Sequence, residues 1–193
     1  MEKIKFGSKP MIYPMPVVLV GADVAGKPNF MTIAFIGIVN IRPAMVAMGV
    51  NPSHFTCKGI VKNRTFSVNL PSAKMLEVTD YVGLNSGEKK DKSELFKIFR
   101  GKTNTAPMIE ECPVNLECKL IKKLVLGGTD EIYIGEIVET YCEEKFLTNG
   151  TPDVEKMGTY VFTMHDNRYF SLGKVIGKAW SDGIKYKASN NGN

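Results

Sequence analysis

Short apolar runs, separated by turn residues, make up much of the first half of the chain. Each run ends at Pro, Gly or Asn and is shorter than a typical helix, which is the pattern of strands that are buried on both faces or close a barrel. A further segment, Thr65–Leu70, alternates apolar and polar residues with the period of two of a half-buried strand. The runs that predict strands are Pro16–Val20, Phe30–Val39 and Ala44–Val50.

Helical spacing of apolar residues is confined to three short segments. The first begins at Phe55, and the second begins after Ser72, a good N-cap residue, and stops near Gly83. A third helix is predicted beyond Asp91, because Asp91 and Glu94 have the spacing of a helix-start pair. The apolar faces that these spacings predict are Phe55, Ile60 and Val61; Met75, Val78 and Val82; and Leu95, Phe96 and Phe99.

Strands return in the second half of the chain. Two long ones are predicted over Val114–Leu126 and Glu131–Cys142, and shorter ones over Tyr160–Met164 and Tyr169–Gly173. Many strands with only short helices indicate a closed or nearly closed barrel, because closure hides the sheet edges. The turns between the first strands are too short for parallel crossovers. We therefore predict a mainly β fold, a β-barrel with short helices.

The length of 193 residues suits one domain. We expect this domain over residues 1–175 and a C-terminal extension over 176–193 that is mobile at its end, where Lys, Ser, Asn and Gly dominate. The longest apolar stretch, Met31–Ile41, is interrupted by polar residues and falls short of the roughly 20 residues that cross a bilayer. The N-terminus lacks an apolar signal core. We expect a soluble, cytoplasmic protein without membrane association.

The net charge of +5 is the difference between 25 basic and 20 acidic residues, and only four of the basic residues are arginine. Proteins that read base edges rely on the planar fork of Arg, so sequence-specific nucleic-acid binding is disfavoured. The four cysteines form no C-x-x-C pair, and neither histidine lies at a zinc-ligand interval from them. We predict no metal site and four free thiols, at Cys57, Cys112, Cys118 and Cys142.

No familiar catalytic motif is present, but three polar segments lie where an apolar strand meets a turn. Asn29–Ala34 offers strand amides and side chains to a flat ligand with polar edges. Asn51–Thr56 joins hydroxyl groups to the start of a helix, a typical anion site. Ser86–Lys92 is a loop rich in lysine. One ligand that carries both a phosphate and a polar flat ring could use all three.

Seven segments occur in a characteristic order between about Pro14 and Gly173. They are PMPVVLVG (14–21), GKPNFMTIA (26–34), NPSHFT (51–56), FSVNLPS (66–72), NSGEKKDK (85–92), CPVNLEC (112–118) and YIGEI (133–137). This order resembles the flavin reductase-like family, and within it the flavoredoxins. The resemblance implies an FMN-binding split barrel, a homodimer that holds FMN without a covalent bond near the subunit interface.

The resemblance also implies the residues of a cofactor site. A strand segment is expected beside the isoalloxazine ring, a turn at the phosphate, and a loop whose lysine contacts the phosphate or ribityl chain. His54 stands where the family more often has Arg, which weakens the fixed positive charge at neutral pH. Asp91 is expected to cap a helix. The cofactor-binding residues are Asn29, Met31, Thr32, Ile33 and Ala34 at the ring; Ser53, His54 and Thr56 at the phosphate; and Gly87 and Lys92 in the loop.

The resembled family implies a function carried by the flavin and not by a protein acid, base or nucleophile. Relatives often have His where this chain has Asp130, which puts direct oxidation of NADH or NADPH in doubt. The first hypothesis is an FMN-dependent oxidoreductase with NADH or NADPH as an open choice of donor. The second is a non-enzymatic electron carrier that serves a redox protein partner. A third, a barrel for single-stranded nucleic acid, is disfavoured because no aromatic residues accompany the Ser86–Lys92 lysines.

Overall fold

The structure is a computed structural model and describes residues 1–186. Three α-helices lie among fourteen strands in this part of the chain: α1 (Phe55–Asn63), α2 (Leu76–Leu84) and α3 (Val154–Met157). The strands are β1 (Met15–Pro16), β2 (Val18–Val24), β3 (Lys27–Ile33), β4 (Ile36–Ile41), β5 (Ala44–Val50), β6 (Thr65–Leu70), β7 (Ile98–Phe99), β8 (Met108–Ile109), β9 (Val114–Leu124), β10 (Glu131–Cys142), β11 (Leu147–Thr148), β12 (Thr151–Pro152), β13 (Tyr160–Thr163) and β14 (Arg168–Ser171).

A seven-stranded antiparallel sheet forms the body of the molecule, in the order β3-β2-β6-β9-β10-β5-β4. The prediction of a mainly β fold is confirmed. Three of the predicted strands, Ala44–Val50, Thr65–Leu70 and Glu131–Cys142, have the predicted bounds. A smaller sheet, β1-β13-β14, has no strand paired with the large one.

The apolar run Phe30–Val39, predicted as one strand, is two strands that form opposite edges of the large sheet. The chain bends between them, where Ile36 N donates to Ala34 O at 3.0 Å. Gly49 N donates to Phe35 O at 2.8 Å, which attaches the bend to β5. Because the run stays apolar through the bend, its sequence does not reveal the break. The chain thereby connects one sheet edge directly to the other.

The core lies inside this sheet and depends on close approach at two glycines. Phe66 and Tyr133 are buried there among aliphatic side chains. A Cβ on Gly135 would overlap the ring of Phe66, and a Cβ on Gly21 would lie 2.6 Å from the ring of Phe30. Larger residues at these positions would displace core rings that are packed without free volume.

Helices α1 and α2 pack on the large sheet near its β3 edge: α1 contacts mainly β2, and α2 contacts β3. In α1 the buried residues are Thr56, Cys57, Gly59 and Ile60, whereas Val61, predicted on the apolar face, is exposed. The inner face of α1 is set by close contact, because a Cβ on Gly59 would overlap the carbonyl of Asp23.

Before α2, Ser72 holds an N-cap position but makes no capping side-chain bond, and a short 3₁₀ turn precedes the helix. The predicted face of Met75, Val78 and Val82 does turn toward the core. The helix ends at Leu84, one residue beyond the predicted stop.

The helix predicted after Asp91 is absent from the structure, and that prediction is wrong. Residues 93–96 form turns and bends, and the chain then enters β7, which pairs with β8. Only Phe96 of the predicted face is buried there. Asp91 is not a helix cap: its Oδ1 accepts from Ser93 N at 2.9 Å, and its Oδ2 pairs with Lys27 Nζ at 2.9 Å.

The part of the C-terminal extension predicted to be mobile includes residues 187–193, which lie outside the described residues. All four cysteines are free thiols. Within residues 1–186, no helix is long and apolar enough to cross a membrane.

Candidate functional site

Strand β3 presents an open backbone edge to the surroundings of the predicted site. In an antiparallel pair, the N–H and C=O of one residue point to the same side, and the side alternates along the strand. Phe30 O accepts from Lys92 Nζ at 3.0 Å and so faces away from β2. Thr32, two residues on, has its N–H on the same outer side. The sheet edge thus offers a backbone donor to a ligand, as the sequence predicts for this segment.

The side chains of this strand differ in what they can reach. Met31 and Ile33 are buried in the core, so only their backbone can serve a ligand. The hydroxyl of Thr32 donates to Thr79 O in α2 at 2.6 Å. Ala34 lies at the bend between β3 and β4 and lines an open cleft.

The three polar segments meet around Asn29. The amide nitrogen of Asn29, which is buried, donates to Thr56 Oγ1 in α1 at 2.7 Å. A Cβ on Gly87 would overlap that same amide group, so the loop of residues 85–91 rests directly on β3. Lys58 Nζ and Glu88 Oε1 join α1 to the loop at 3.0 Å. The structure therefore places the predicted segments side by side.

Lys92 is buried beneath this junction, only 3% exposed. Its ammonium donates to Phe30 O at 3.0 Å and to Val82 O at 2.8 Å. Among the described residues no carboxylate pairs with it. Burial lowers the pKa of Lys92 to about 8. A buried cation that only neutral carbonyls hold is costly, and an anion beside it would relieve that cost.

The turn before α1 brings a second titratable group to the same region. His54 is the N-cap residue of α1, and no side chain caps that helix. Burial lowers the pKa of His54, the charge of Lys92 lowers it further, and Asp130 acts in the opposite direction. Ser53 is exposed, and its N–H donates to Asn51 Oδ1 at 3.0 Å. The N-terminus of α1 and the charge of Lys92, which acts on His54, together suit an anion.

Two open clefts flank this junction. The first, of about 290 Å³, lies between the bend Thr32–Phe35, the β5–α1 turn with His54, and Asp130. The second, of about 350 Å³, lies over Asn29 and Phe55 and is walled by residues 87–91, including Lys89 and Lys90.

The first cleft also has a wall that the sequence did not indicate. Phe162, Met164 and Asn167 of the β13–β14 hairpin line it. His165 and Asn167 have φ of 72° and 50°, the left-handed region in which Gly, Asn, Asp and His are enriched. The predicted strands Tyr160–Met164 and Tyr169–Gly173 leave a short connection between them, but its place beside the bend of β3 and β4 depends on tertiary structure.

The family model of the flavin reductase-like domain matches residues 11–172. The chain belongs to the flavin reductase-like family. The predicted family is thereby confirmed, and membership in it supports a flavin-binding redox protein.

Solved structures and a curated relative agree with this membership. This flavin reductase-like protein is similar to flavoredoxin from Methanosarcina acetivorans, with 48% identity, a TM-score of 0.92, and coverage of 95% of this chain and 98% of that one. Flavoredoxin of Desulfovibrio vulgaris (Miyazaki F) follows with 31% identity, a TM-score of 0.86, and coverage of 94% and 100%. An uncharacterized protein of Archaeoglobus fulgidus is 30% identical over 80% of this chain and 84% of its own length.

Proposed function

We propose that the protein is an FMN-dependent oxidoreductase of the flavoredoxin type, with FMN held without a covalent bond across the two clefts. The observation that carries this proposal is the buried ammonium of Lys92, which lies where the three predicted segments meet and has no acidic partner among the described residues. A phosphate is the kind of anion that such a cation and a helix N-terminus bind together.

The residues of the junction fit such a ligand by their chemistry. His54, the first amides of α1 and the lysines of the 85–91 loop can hold a phosphate, and Lys92 adds its charge from below. The outward N–H of Thr32 can donate to a polar ring edge, and the apolar wall of Phe162 and Met164 can exclude water from one side. FMN, when bound, supplies the redox chemistry of its ring. The protein's part is to orient the ring and to set its electrostatic surroundings.

The absorbance spectrum of the purified protein tests this proposal. We expect a yellow protein, or a colourless one that gains flavin absorbance and quenches free flavin fluorescence when FMN is added in equimolar amount. A protein that does not take up FMN at micromolar concentration contradicts the proposal.

The identity of the electron donor distinguishes an enzyme that oxidises NADH or NADPH from an electron carrier. Asp130 lies in the first cleft with His54 and adds negative charge where a nicotinamide dinucleotide, itself an anion, would approach. This observation favours the second candidate, a carrier that takes electrons from a redox protein. Stopped-flow reduction of the flavin-loaded protein by NADH and by NADPH decides between them. Rapid reduction by either supports the reductase, whereas slow reduction by both, with fast reduction by a reduced ferredoxin, supports the carrier.

A homodimer with the site near its interface is part of the proposal. Strand β4 is an edge of the large sheet and carries the exposed apolar residues Ile38, Val39 and Ile41. Apolar residues on an open edge are typical of a face that another chain covers. Sedimentation velocity of the flavin-loaded protein is expected to give twice the mass of the 21.4 kDa chain, and Ile38→Lys with Ile41→Lys is expected to shift it to the monomer.

A further inference from the structure

The chain after β14 carries large apolar side chains that nothing among residues 1–186 covers. We call residues 172–186 the C-terminal arm. Trp180, the one tryptophan of the sequence, is 97% exposed. Exposed apolar side chains in such density mark an interaction surface. The exposed apolar residues of the arm are Leu172, Val175, Ile176, Trp180, Ile184 and Tyr186.

The tip of the arm has a defined shape of its own. Lys178 N donates to Asp182 Oδ2 at 2.7 Å, and Ser181 N and Asp182 N both donate to Lys178 O. A Cβ on Gly177 would lie 2.6 Å from the same Asp182 oxygen, so a larger residue there would have to displace the carboxylate that holds this turn. Within it, Trp180 has a φ of 57°, a conformation that costs a bulky residue energy. The turn thus presents an indole to the solvent.

A cleft of about 530 Å³ on the same molecule has complementary chemistry. Phe99 and Tyr141 form an edge-to-face pair in its wall, with ring centroids 5.5 Å apart. Asn115 also lines the cleft and is only 4% exposed. Its Nδ2 donates to Asn69 Oδ1 and Ile109 O, which leaves Oδ1 without a donor among the described residues. Glu110 and Glu143 line the cleft. Glu143 pairs with Lys145 Nζ at 2.6 Å, whereas Glu110 has no ion-pair partner among the described residues and leaves the cleft with a net negative charge.

We propose that the arm of one subunit docks in this aromatic cleft of a second copy of the chain, with Trp180 as its anchor. The indole N–H is a donor without acceptor capacity and matches the free Oδ1 of Asn115. Lys174 and Lys178 of the arm match the acidic mouth of the cleft in charge. Because arm and cleft belong to the same chain, a twofold dimer makes the contact twice and leaves neither surface open. This inference concerns assembly and is independent of flavin binding.

Tryptophan emission of the full-length protein tests the docking, because Trp180 is its single source. At micromolar concentration the wild type is expected to emit at a blue-shifted wavelength and to resist quenching by acrylamide. Glu110→Lys with Glu143→Lys is expected to shift the emission to that of exposed indole and to raise the quenching constant several-fold. Glu2→Lys with Glu77→Lys, which makes the same charge change on exposed residues elsewhere, is the control.

A mixture of two variants separates docking between subunits from docking within one. Trp180→Ala has an open cleft and no indole, and the Glu110→Lys, Glu143→Lys variant has an indole and a blocked cleft. After subunit exchange, the mixture is expected to regain the blue-shifted, protected emission that neither variant shows alone. A mixture that stays exposed, or a wild type whose indole is exposed at every concentration, overturns the proposal. So does an indole that remains protected in the cleft variant, because another surface then covers it.

Discussion

At the scale of single residues, the proposed cofactor site depends on where the ammonium group of Lys92 lies. The sequence places Lys92 in a polar loop, a setting in which lysine is normally exposed. The structure buries it on two carbonyl groups. Segment order was enough to predict the loop as part of a cofactor site, but burial of the ammonium follows from the way the loop folds over β3. No pattern in residues 86–92 encodes that.

Replacing Lys92 with methionine keeps the length of the side chain and removes the charge. We expect Lys92→Met to raise the dissociation constant for FMN about 10- to 100-fold, the value of a charge-assisted hydrogen bond. The flavin-free variant should have nearly the stability of the wild type, because removal of the buried charge offsets the loss of the donor to Phe30 O and Val82 O. FMN titration and urea unfolding measure the two effects. Lys89→Met, on the exposed part of the same loop, is the control, and an equal loss there would contradict a special role for Lys92.

The depressed pKa of Lys92 also gives a pH dependence with a definite sign. Between pH about 8 and 10.5, the unfolded chain still holds the proton that the folded protein has released. The flavin-free protein should therefore gain stability as pH rises through this window, relative to Lys92→Met. FMN affinity should fall over the same range, since the cation is lost. Unfolding and FMN titrations at pH 7.5, 9 and 10 measure both trends.

The neutral state of His54 near pH 7 provides a second test at this scale. The pKa of His54 is lowered, first by burial and then by Lys92. FMN affinity should thus increase as pH falls below 6.5. His54→Arg should bind FMN several-fold more tightly at pH 7.5 and should lose this dependence, because its charge is fixed. Val61→Arg, on the exposed face of the same helix, controls for net charge. Equal tightening in both variants would show a general charge effect.

At the scale of elements, regular strands were predictable and irregular connections were not. Strands such as Ala44–Val50 are apolar runs between turn residues, so the turn residues in the sequence mark where these strands begin and end. Leu95, Phe96 and Phe99 have helical spacing, yet only Phe96 turns inward and the backbone of Phe99 pairs with β8. Pairing with a strand distant in sequence overrode local spacing there. The same kind of tertiary contact divides the apolar run 30–39 at its bend.

The contact between the 85–91 loop and β3 can be tested with one methyl group. Gly87→Ala would force the loop away from Asn29. We expect FMN binding to weaken several-fold with little change in melting temperature, because the loop is largely exposed. Gly128→Ala, in another exposed loop where a Cβ meets nothing within 4 Å, is the control. Unchanged affinity in Gly87→Ala would mean that the loop contributes nothing to the cofactor site.

At the scale of the whole molecule, a buried carboxylate ties the 100–106 segment to the barrel. Glu117 in β9 is fully buried and accepts from Lys102 N at 2.9 Å, from Thr103 N, and from the Tyr141 hydroxyl at 3.0 Å. Burial raises the pKa of Glu117, but these hydrogen bonds together outweigh burial and leave the pKa lowered. In the sequence, Glu117 is an ordinary glutamate of a predicted strand, because its three hydrogen-bond donors come from residues distant along the chain.

Glu117→Gln places an amide donor among those donors and should cost about 2–3 kcal/mol of unfolding free energy. The carboxylate contributes its stability above the unfolded pKa of 4.5 and loses it as pH falls through the lowered folded value. The variant should therefore lose less stability on acidification than the wild type. Urea unfolding from pH 3 to 7 measures this. Glu139→Gln, a partly exposed neighbour paired with Lys102, should change stability little.

The bend between β3 and β4 has a consequence for local unfolding. Only two residues, Ala34 and Phe35, connect β3 and β4, which are the two edge strands of the large sheet. Separation of either strand from the sheet would therefore pull on the other through the backbone. Amide hydrogens of β3 and β4 should consequently exchange with solvent as one cooperative unit, although they lie at opposite edges of the ladder. A ligand in the cleft at this bend would slow exchange in both strands together. Slowed exchange along the whole of β3 and β4 would then indicate that the cleft is occupied.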